Sequence, residues 1–278
     1  MIKFISFPKI TQFRQIIKNV VDKAKFDGVD ENNKAIFNPT YIAPILTFEG
    51  TVKLHGTNAG VSINRNGEIW AQSREQIINI KQDNAGFAFF VENNKDLFRE
   101  FFLNIDMKDA DFITIFGEWA GGSIQKGVIA IRGLEKMFVI FAVKLSYNID
   151  SNNDNDKRTN FYLKNKKFKN IKSIKNKIYN IQDFQKFSID IDFENPALIQ
   201  NKLIELTNNV ENECPVGKTF LLDVLTENII YENNGKIWFE KENKFINDNM
   251  KSQFKKDLKN LRLLNPTGTN YIKFKIIE

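Results

Sequence analysis

Leu46-Thr47-Phe48-Glu49-Gly50-Thr51-Val52-Lys53 runs into Leu54-His55-Gly56-Thr57-Asn58 and on through Ala59 to Asn64, and this stretch sets the class of the whole chain. Apolar residues alternate with polar ones on either side of a glycine-containing break, the period of half-buried strands. Asn66-Gly67 then separates Ala59 to Asn64 from Glu68 to Ser73. An Asn-Gly pair between two such runs predicts a tight hairpin with both central residues at positive φ. Lys53 falls where a strand ends and a turn begins, a place from which an amine can be held at the floor of a pocket. Gly56, three residues on, permits close approach of backbone to a ligand.

Outward from this centre, Phe13, Ile16, Ile17, Val20, Val21 and Ala24 recur at helical spacing over Thr11 to Lys25, with Thr11 as N-cap. A second helix is expected over Asp96 to Asn104, with Leu97, Phe98, Phe101 and Phe102 on one face. Phe112 to Trp119 and Met137 to Leu145 read as apolar strands separated by a loop containing Gly121, Gly122 and Gly133. The polar, basic stretch at about 148–180 reads as an excursion from the sheet. Nine Lys or Arg between Lys157 and Lys177, interleaved with Phe161, Tyr162 and Phe168, read there as a solvated face rather than a phosphate-tracking surface. Pro196 starts a helix bearing Leu198, Ile199, Leu203, Leu206 and Val210. Strands are expected at Thr219 to Leu225, Asn228 to Tyr231, Lys236 to Phe239 and Asn270 to Ile277, with a helix carrying Met250, Phe254, Leu258 and Leu261 before the last. The order predicts an α+β fold of mainly antiparallel sheets flanked by helices, a single domain over 1–278.

Composition agrees with a packed domain. The chain of 278 residues is 42% hydrophobic and holds 26 Phe, far from the aromatic-poor composition of disordered chains. Forty Lys plus Arg against 34 Asp plus Glu give a net charge of +6, compatible with a polyanionic partner. Cys214 is the single cysteine, which excludes an intramolecular disulfide framework and a CxxC metal knuckle. The N-terminus is broken by Pro8 and Lys9 before a signal core forms, and no run approaches the roughly 18 apolar residues of a membrane span. A cytoplasmic protein is expected.

Lys53-Leu54-His55-Gly56-Thr57-Asn58 resembles the nucleotidyl-acceptor motif of covalent ligases and capping enzymes, in the form found in the RNA ligase 2 family. The resemblance continues in order through Gln72-Ser73-Arg74, Asp83-Asn84-Ala85-Gly86-Phe87, Phe116-Gly117-Glu118-Trp119-Ala120-Gly121-Gly122 with Ile124-Gln125-Lys126, Phe138-Val139-Ile140-Phe141-Ala142, and Glu213-Cys214-Pro215-Val216-Gly217-Lys218. Several ordered matches carry far more weight than any one. The resemblance implies a nucleotidyltransferase (ATP-grasp-like ligase) domain, without a separate C-terminal domain since the chain ends at Glu278.

It also implies roles. Lys53 would attack ATP and carry AMP, and its amine must be uncharged to do so, a state favoured by desolvation and nearby positive charge. Glu118 would accept bonds from the ribose hydroxyls, Phe141 would stack on adenine, and Asn58 and Arg74 would hold phosphate, metal-bound water or the RNA end. His55 would shape the turn and contact nucleotide with Gly56, rather than transfer protons. Glu227 would bind the catalytic Mg2+ (or Mn2+), a hard ion suited to a carboxylate; the residue after it is Asn228 where the family has glycine. The fifth motif needs two lysines on one face of a strand, a spacing that Lys273 and Lys275 satisfy; Lys241 is the rival, flanked by Glu240 and Glu242 where lysines would be wanted.

The expected activity is ATP-dependent joining of RNA 5′-phosphate and 3′-hydroxyl ends, for RNA repair, by a monomer acting on RNA ends or nicked duplex. A protein partner could supply a further domain. The alternatives are another covalent nucleotidyltransferase, of DNA ligase or capping type, and a catalytically degraded nucleic-acid-binding protein that keeps the fold.

Overall fold

A computed structural model of the chain describes residues 2–8, 13–106, 110–125, 131, 134–147, 161–212 and 214–220, and, as backbone, the strands at 229–233, 236–239, 244–246 and 271–276. In chain order the elements are α1 (Phe13–Lys25), β1 (Phe26–Val29), β2 (Ala35–Phe37), β3 (Ile45–Lys53), β4 (Thr57–Asn64), β5 (Ile69–Ser73), β6 (Ile77–Ile78), α2 (Phe87–Asn93), α3 (Lys95–Leu103), β7 (Phe112–Ala120) and β8 (Met137–Ser146). Then come β9 (Phe161–Tyr162), β10 (Ile178–Asn180), β11 (Lys186–Asp192), α4 (Gln200–Asn212), β12 (Ile229–Asn233), β13 (Lys236–Phe239), β14 (Lys244–Ile246) and β15 (Tyr271–Ile276). The fold is α+β and rich in antiparallel pairs, as expected.

Seven strands form the main sheet, in the order β10-β8-β7-β4-β5-β6 with β9 against β8. A second sheet has the order β11-β3-β15. One face of the main sheet is buried under α2 and α3 by Phe87, Phe98, Phe101, Phe102, Ile113, Ile115 and Phe138. Toward the second sheet, Val52 and Leu54 pack with Val139, Tyr179, Ile181, Phe184 and Val216. The chain therefore crosses between sheets over Leu54-His55-Gly56, with Lys53 as the last residue of β3 and Thr57 as the first of β4.

Several expectations are corrected. The β4–β5 turn spans residues 65–68, and among them only Gly67 has positive φ, +78°. The Gly67 N–H donates to Asn64 O, and Asn64 Oδ1 accepts the N–H groups of Asn66 and Glu68. A side-chain acceptor at the turn's first residue thus replaces the second left-handed residue. The polar excursion is anchored: Leu163, Phe168 and Ile171 are buried in the main core, and β10 pairs with β8 in parallel. β11, whose Phe187, Ile189 and Ile191 alternate, and the short α2 were not anticipated. Leu198 is 78% exposed, since Pro196–Ile199 is a 3-10 turn ahead of α4. Thr219 and Phe220 are helical rather than extended, within residues 215–220; residues 221–225 and the helix expected around Met250 to Leu261 lie outside the described residues, as do Thr11 and Gly133.

Candidate active site

A cavity of about 540 Å³ opens where β3, β4, β7 and β8 meet. Its lining brings together Lys53, His55, Gly56, Asn58, Arg74, Glu118 and Phe141. Lys53, Asn58, Glu118 and Phe141 come from four strands, His55 and Gly56 from the crossover and Arg74 from the bend after β5, so sheet register closes the spacing of 88 residues between Lys53 and Phe141. Asn58 stands opposite Glu118, and Glu118 opposite Val139, across consecutive antiparallel pairs. The volume falls in the range of about 300–1,000 Å³ that suits a nucleotide-sized ligand.

The crossover is held at Gly56. Its N–H donates to Glu118 Oε1 at 3.0 Å, and its carbonyl accepts from Gln125 Nε2 at 3.1 Å. A Cβ at this position would lie 2.3 Å from Trp119 O, so only glycine fits between the two strands. Asn84 Nδ2 donates to Thr57 Oγ1 at 3.0 Å, tying the next loop to the start of β4. Asp83 accepts the N–H groups of Ala88 and Phe89 in the first turn of α2, and Trp119 Nε1 donates to Ala85 O. The segment around Asp83 and Ala85 is therefore fixed beside the cavity by side chains it shares with α2 and β7.

Phe141 sits at a β-bulge of β8. Phe116 pairs with Ala142 and Gly117 with Ile140, which leaves Phe141 as the extra residue of β8. Ile140 and Val143 point into the helix-covered core, whereas Phe141 and Ala142 both contact the group containing Phe116 and Trp70. Val139 and Phe141 follow the alternation of the strand, and the bulge adds Ala142 to the side of Phe141 before the phase resumes at Val143. Half-buried Phe141 lines the cavity, and Phe7 meets it edge-to-face at 5.1 Å between centroids and 66° between planes.

His55 is half-buried beside Lys53. Burial, followed by the positive charge of Lys53, lowers its imidazole below the ordinary histidine value, so the ring is neutral at neutral pH. It can donate or accept one hydrogen bond per nitrogen without adding charge.

The fifth-motif candidates enter by register. β15 pairs antiparallel with β3, with Tyr271 opposite Lys53, Lys273 opposite Thr51 and Lys275 opposite Glu49. Both lysine positions are in phase with Lys53 along the pleat, and Thr51 itself lines the cavity. Glu227 and Lys241 lie outside the described residues. Among the described residues no cluster of three or more His, Cys, Asp or Glu could hold a metal ion. Glu118 is the one carboxylate among the cavity's described lining, a donor set that fits a Mg2+ bound mainly through nucleotide phosphates and water rather than through a protein cage. No helix among the described residues is long and apolar enough to cross a membrane.

Sequence reasoning missed Thr51, Val52 and Leu54 beside Lys53, and Phe7, Pro8, Thr57, Val139, Gln125 and Ile181, as lining residues. Gln125, Val139 and Thr57 stand inside motifs quoted above and were recognisable there. Phe7, Pro8 and Ile181 belong to segments without a motif.

A family profile described as RNA ligase matches residues 46–216, more than half of the chain. The chain belongs to the RNA ligase family. A comparison with curated proteins finds no match.

Proposed function

We propose that the protein is an ATP-dependent RNA ligase that works through a lysyl-AMP intermediate on Lys53. The observation that carries this reading is the shared cavity: an amine, a carboxylate, an aromatic ring and an amide from four strands, with a guanidinium from the bend after β5, line one space of nucleotide size.

Three transfers follow. The Lys53 amine attacks the α-phosphorus of ATP, the N–P bond forms, the bond to the bridging oxygen breaks and pyrophosphate leaves. AMP next passes to the 5′-phosphate of an RNA strand, restoring the amine. A 3′-hydroxyl then attacks that 5′-phosphate, forming the phosphodiester and releasing AMP. All three are phosphoryl transfers, in which positioning and charge neutralisation supply most of the acceleration.

In this scheme Phe141 stacks on the base and Glu118 holds the ribose while its other bond fixes Gly56. Arg74 and Asn58 orient phosphate, and neutral His55 contacts the nucleotide without competing for its charge. Lys273 and Lys275 approach the α-phosphate from β15. Mg2+, when bound, neutralises developing phosphate charge.

Intact mass after incubation with ATP and Mg2+ is the test. An AMP-sized increment is expected on wild type and absent from Lys53→Ala. Wild type without the increment overturns the reading, and an increment retained by the variant overturns Lys53 as the nucleophile. Labelled ATP and GTP offered in parallel distinguish a ligase from a capping-type enzyme, with retention of adenylate expected.

A further inference from the structure

The RNA ligase profile begins at residue 46, yet Phe7 and Pro8 help to close the cavity. The segment that carries them, residues 2–8, belongs to no strand or helix. It is held by two long polar side chains of the main sheet. Gln72 on β5 grips Ile5 at both backbone groups, accepting from its N–H at 3.2 Å and donating to its carbonyl at 2.6 Å. Lys144 on β8 donates from Nζ to the carbonyl of Ser6 at 3.2 Å. β7 and β4 lie between β8 and β5, so the two side chains reach the strap from opposite flanks.

Their burial makes this more than incidental packing. Gln72 is 1% and Lys144 8% exposed, and burial pushes the Lys144 amine below the ordinary lysine value. Polar groups so placed cost stability unless they are bonded. The bonds shown for Lys144 and for the Gln72 amide nitrogen go to strap carbonyls. With Ile5 pinned and buried beside Trp70, Phe112 and Phe116, Phe7 lands among three rings. It lies 5.1 Å from Phe116, 5.1 Å from Phe141 and 5.9 Å from Tyr162. The contact with Phe141 is edge-on, one of the favoured arrangements of an aromatic pair.

We infer that Phe7, clamped through Gln72 and Lys144, is a positioning residue of the base subsite, orienting the Phe141 ring and shutting water from its rim. This rests on the reading above that Phe141 stacks on the base. The element lies in the N-terminal segment, outside the residues that the family profile matches.

The test compares equilibrium binding of α,β-methylene-ATP, which keeps the base, with that of inorganic tripolyphosphate, which lacks it. For Phe7→Ala and Phe7→Leu, analogue affinity is expected to fall about three- to tenfold, the worth of an aromatic pair, with tripolyphosphate affinity unchanged. Phe7→Tyr should restore the analogue to within about twofold, since it keeps the ring edge. Lys144→Met, which removes one tether but fills the same apolar space, should show the same base-dependent loss. Equal losses for both ligands, full rescue by leucine, or no loss at all would each overturn the inference. Adduct formation by wild type with ATP and Mg2+ is scored separately. An adduct together with an unaffected Phe7→Ala variant sinks the strap and leaves the ligase reading standing. Base-dependent loss without any wild-type adduct does the reverse.

Discussion

The backbone N–H of Gly56 donates to the carboxylate of Glu118 at 3.0 Å, so the crossover that follows the candidate nucleophile is tied to β7 through one acceptor. Glu118 stands opposite Asn58 in the β4–β7 pair, which puts the amide and the carboxylate on one wall. Glu118→Gln keeps an oxygen for Gly56 and should leave unliganded stability within about 0.5 kcal/mol. Glu118→Ala removes it and should cost about 1–2 kcal/mol, the worth of a part-buried bond to a charged acceptor. Self-adenylylation should fall in both, because a ribose hydroxyl needs the charged acceptor. Urea unfolding without nucleotide, set beside adduct yield, checks the split; alanine and glutamine equal in stability would show that the bond holds nothing.

Gly56 itself tolerates nothing larger. An added Cβ meets Trp119 O at 2.3 Å and the Ala120 Cβ at 2.9 Å, and neither is the far end of a flexible side chain. Gly56→Ala should therefore destabilise by about 1–3 kcal/mol or more, with loss of the bonds to Glu118 and Gln125. Gly67→Ala is the control. Its φ of +78° is strained for alanine, but the space around it is open, so about 1 kcal/mol is expected with adduct formation intact. Thermal melts of the two variants, with adduct yields, distinguish a crowded site from a strained turn.

His55 is the single histidine of the chain, which makes its titration readable without assignment. Its pKa is lowered by burial first and by the Lys53 charge second. In the unfolded chain the ring protonates near its ordinary value of about 6.5, while in the folded chain it protonates only at lower pH. Between those values the unfolded state binds more protons, so the contribution of His55 to stability is complete above the ordinary value and is lost as pH falls through the window below it. His55→Asn should flatten that part of the stability profile. Lys53→Met should move the ring resonance titration upward by NMR but leave it short of the ordinary value, because burial remains. A titration unmoved by Lys53→Met would show that the two side chains do not sense each other.

What could be read from sequence follows the range of the forces involved. β3, β4 and β5 were legible because a two-residue period over 46–73 needs no partner to be recognised, and the glycines at 56 and 117 stood in motifs. The Asn64–Glu68 turn was misread in detail because its second bond donor is satisfied by the Asn64 side chain, which dipeptide rules ignore. The basic stretch from Lys157 to Lys177 was read as a solvated face because Leu163, Phe168 and Ile171 are sparse among lysines, although each finds the core. β11 alternates well, but its partner, β3, lies more than a hundred residues away. Phe7 was out of reach. Its position depends on Gln72 and Lys144, two polar residues with no local pattern pointing to an N-terminal strap.

The bulge opposite Gly117 gives the last test. An added Cβ there would lie 2.5 Å from Phe138 Cε2 and 2.7 Å from Val139 O, so alanine must either displace the Phe138 ring from the helix-covered core or separate β7 from β8. Either movement reaches Phe141, the residue that the register shift leaves over. Gly117→Ala should cost about 1–3 kcal/mol and weaken binding of a base-containing nucleotide, while Gly121→Ala, outside the bulge but also sterically blocked by Glu135 O at 2.4 Å, should destabilise without a base-dependent loss. Melting curves for both variants, with nucleotide and tripolyphosphate titrations at a temperature where each remains folded, separate the two effects. If Gly121→Ala lost base-dependent affinity as Gly117→Ala does, the bulge would be a packing accommodation with no particular bearing on the Phe141 ring.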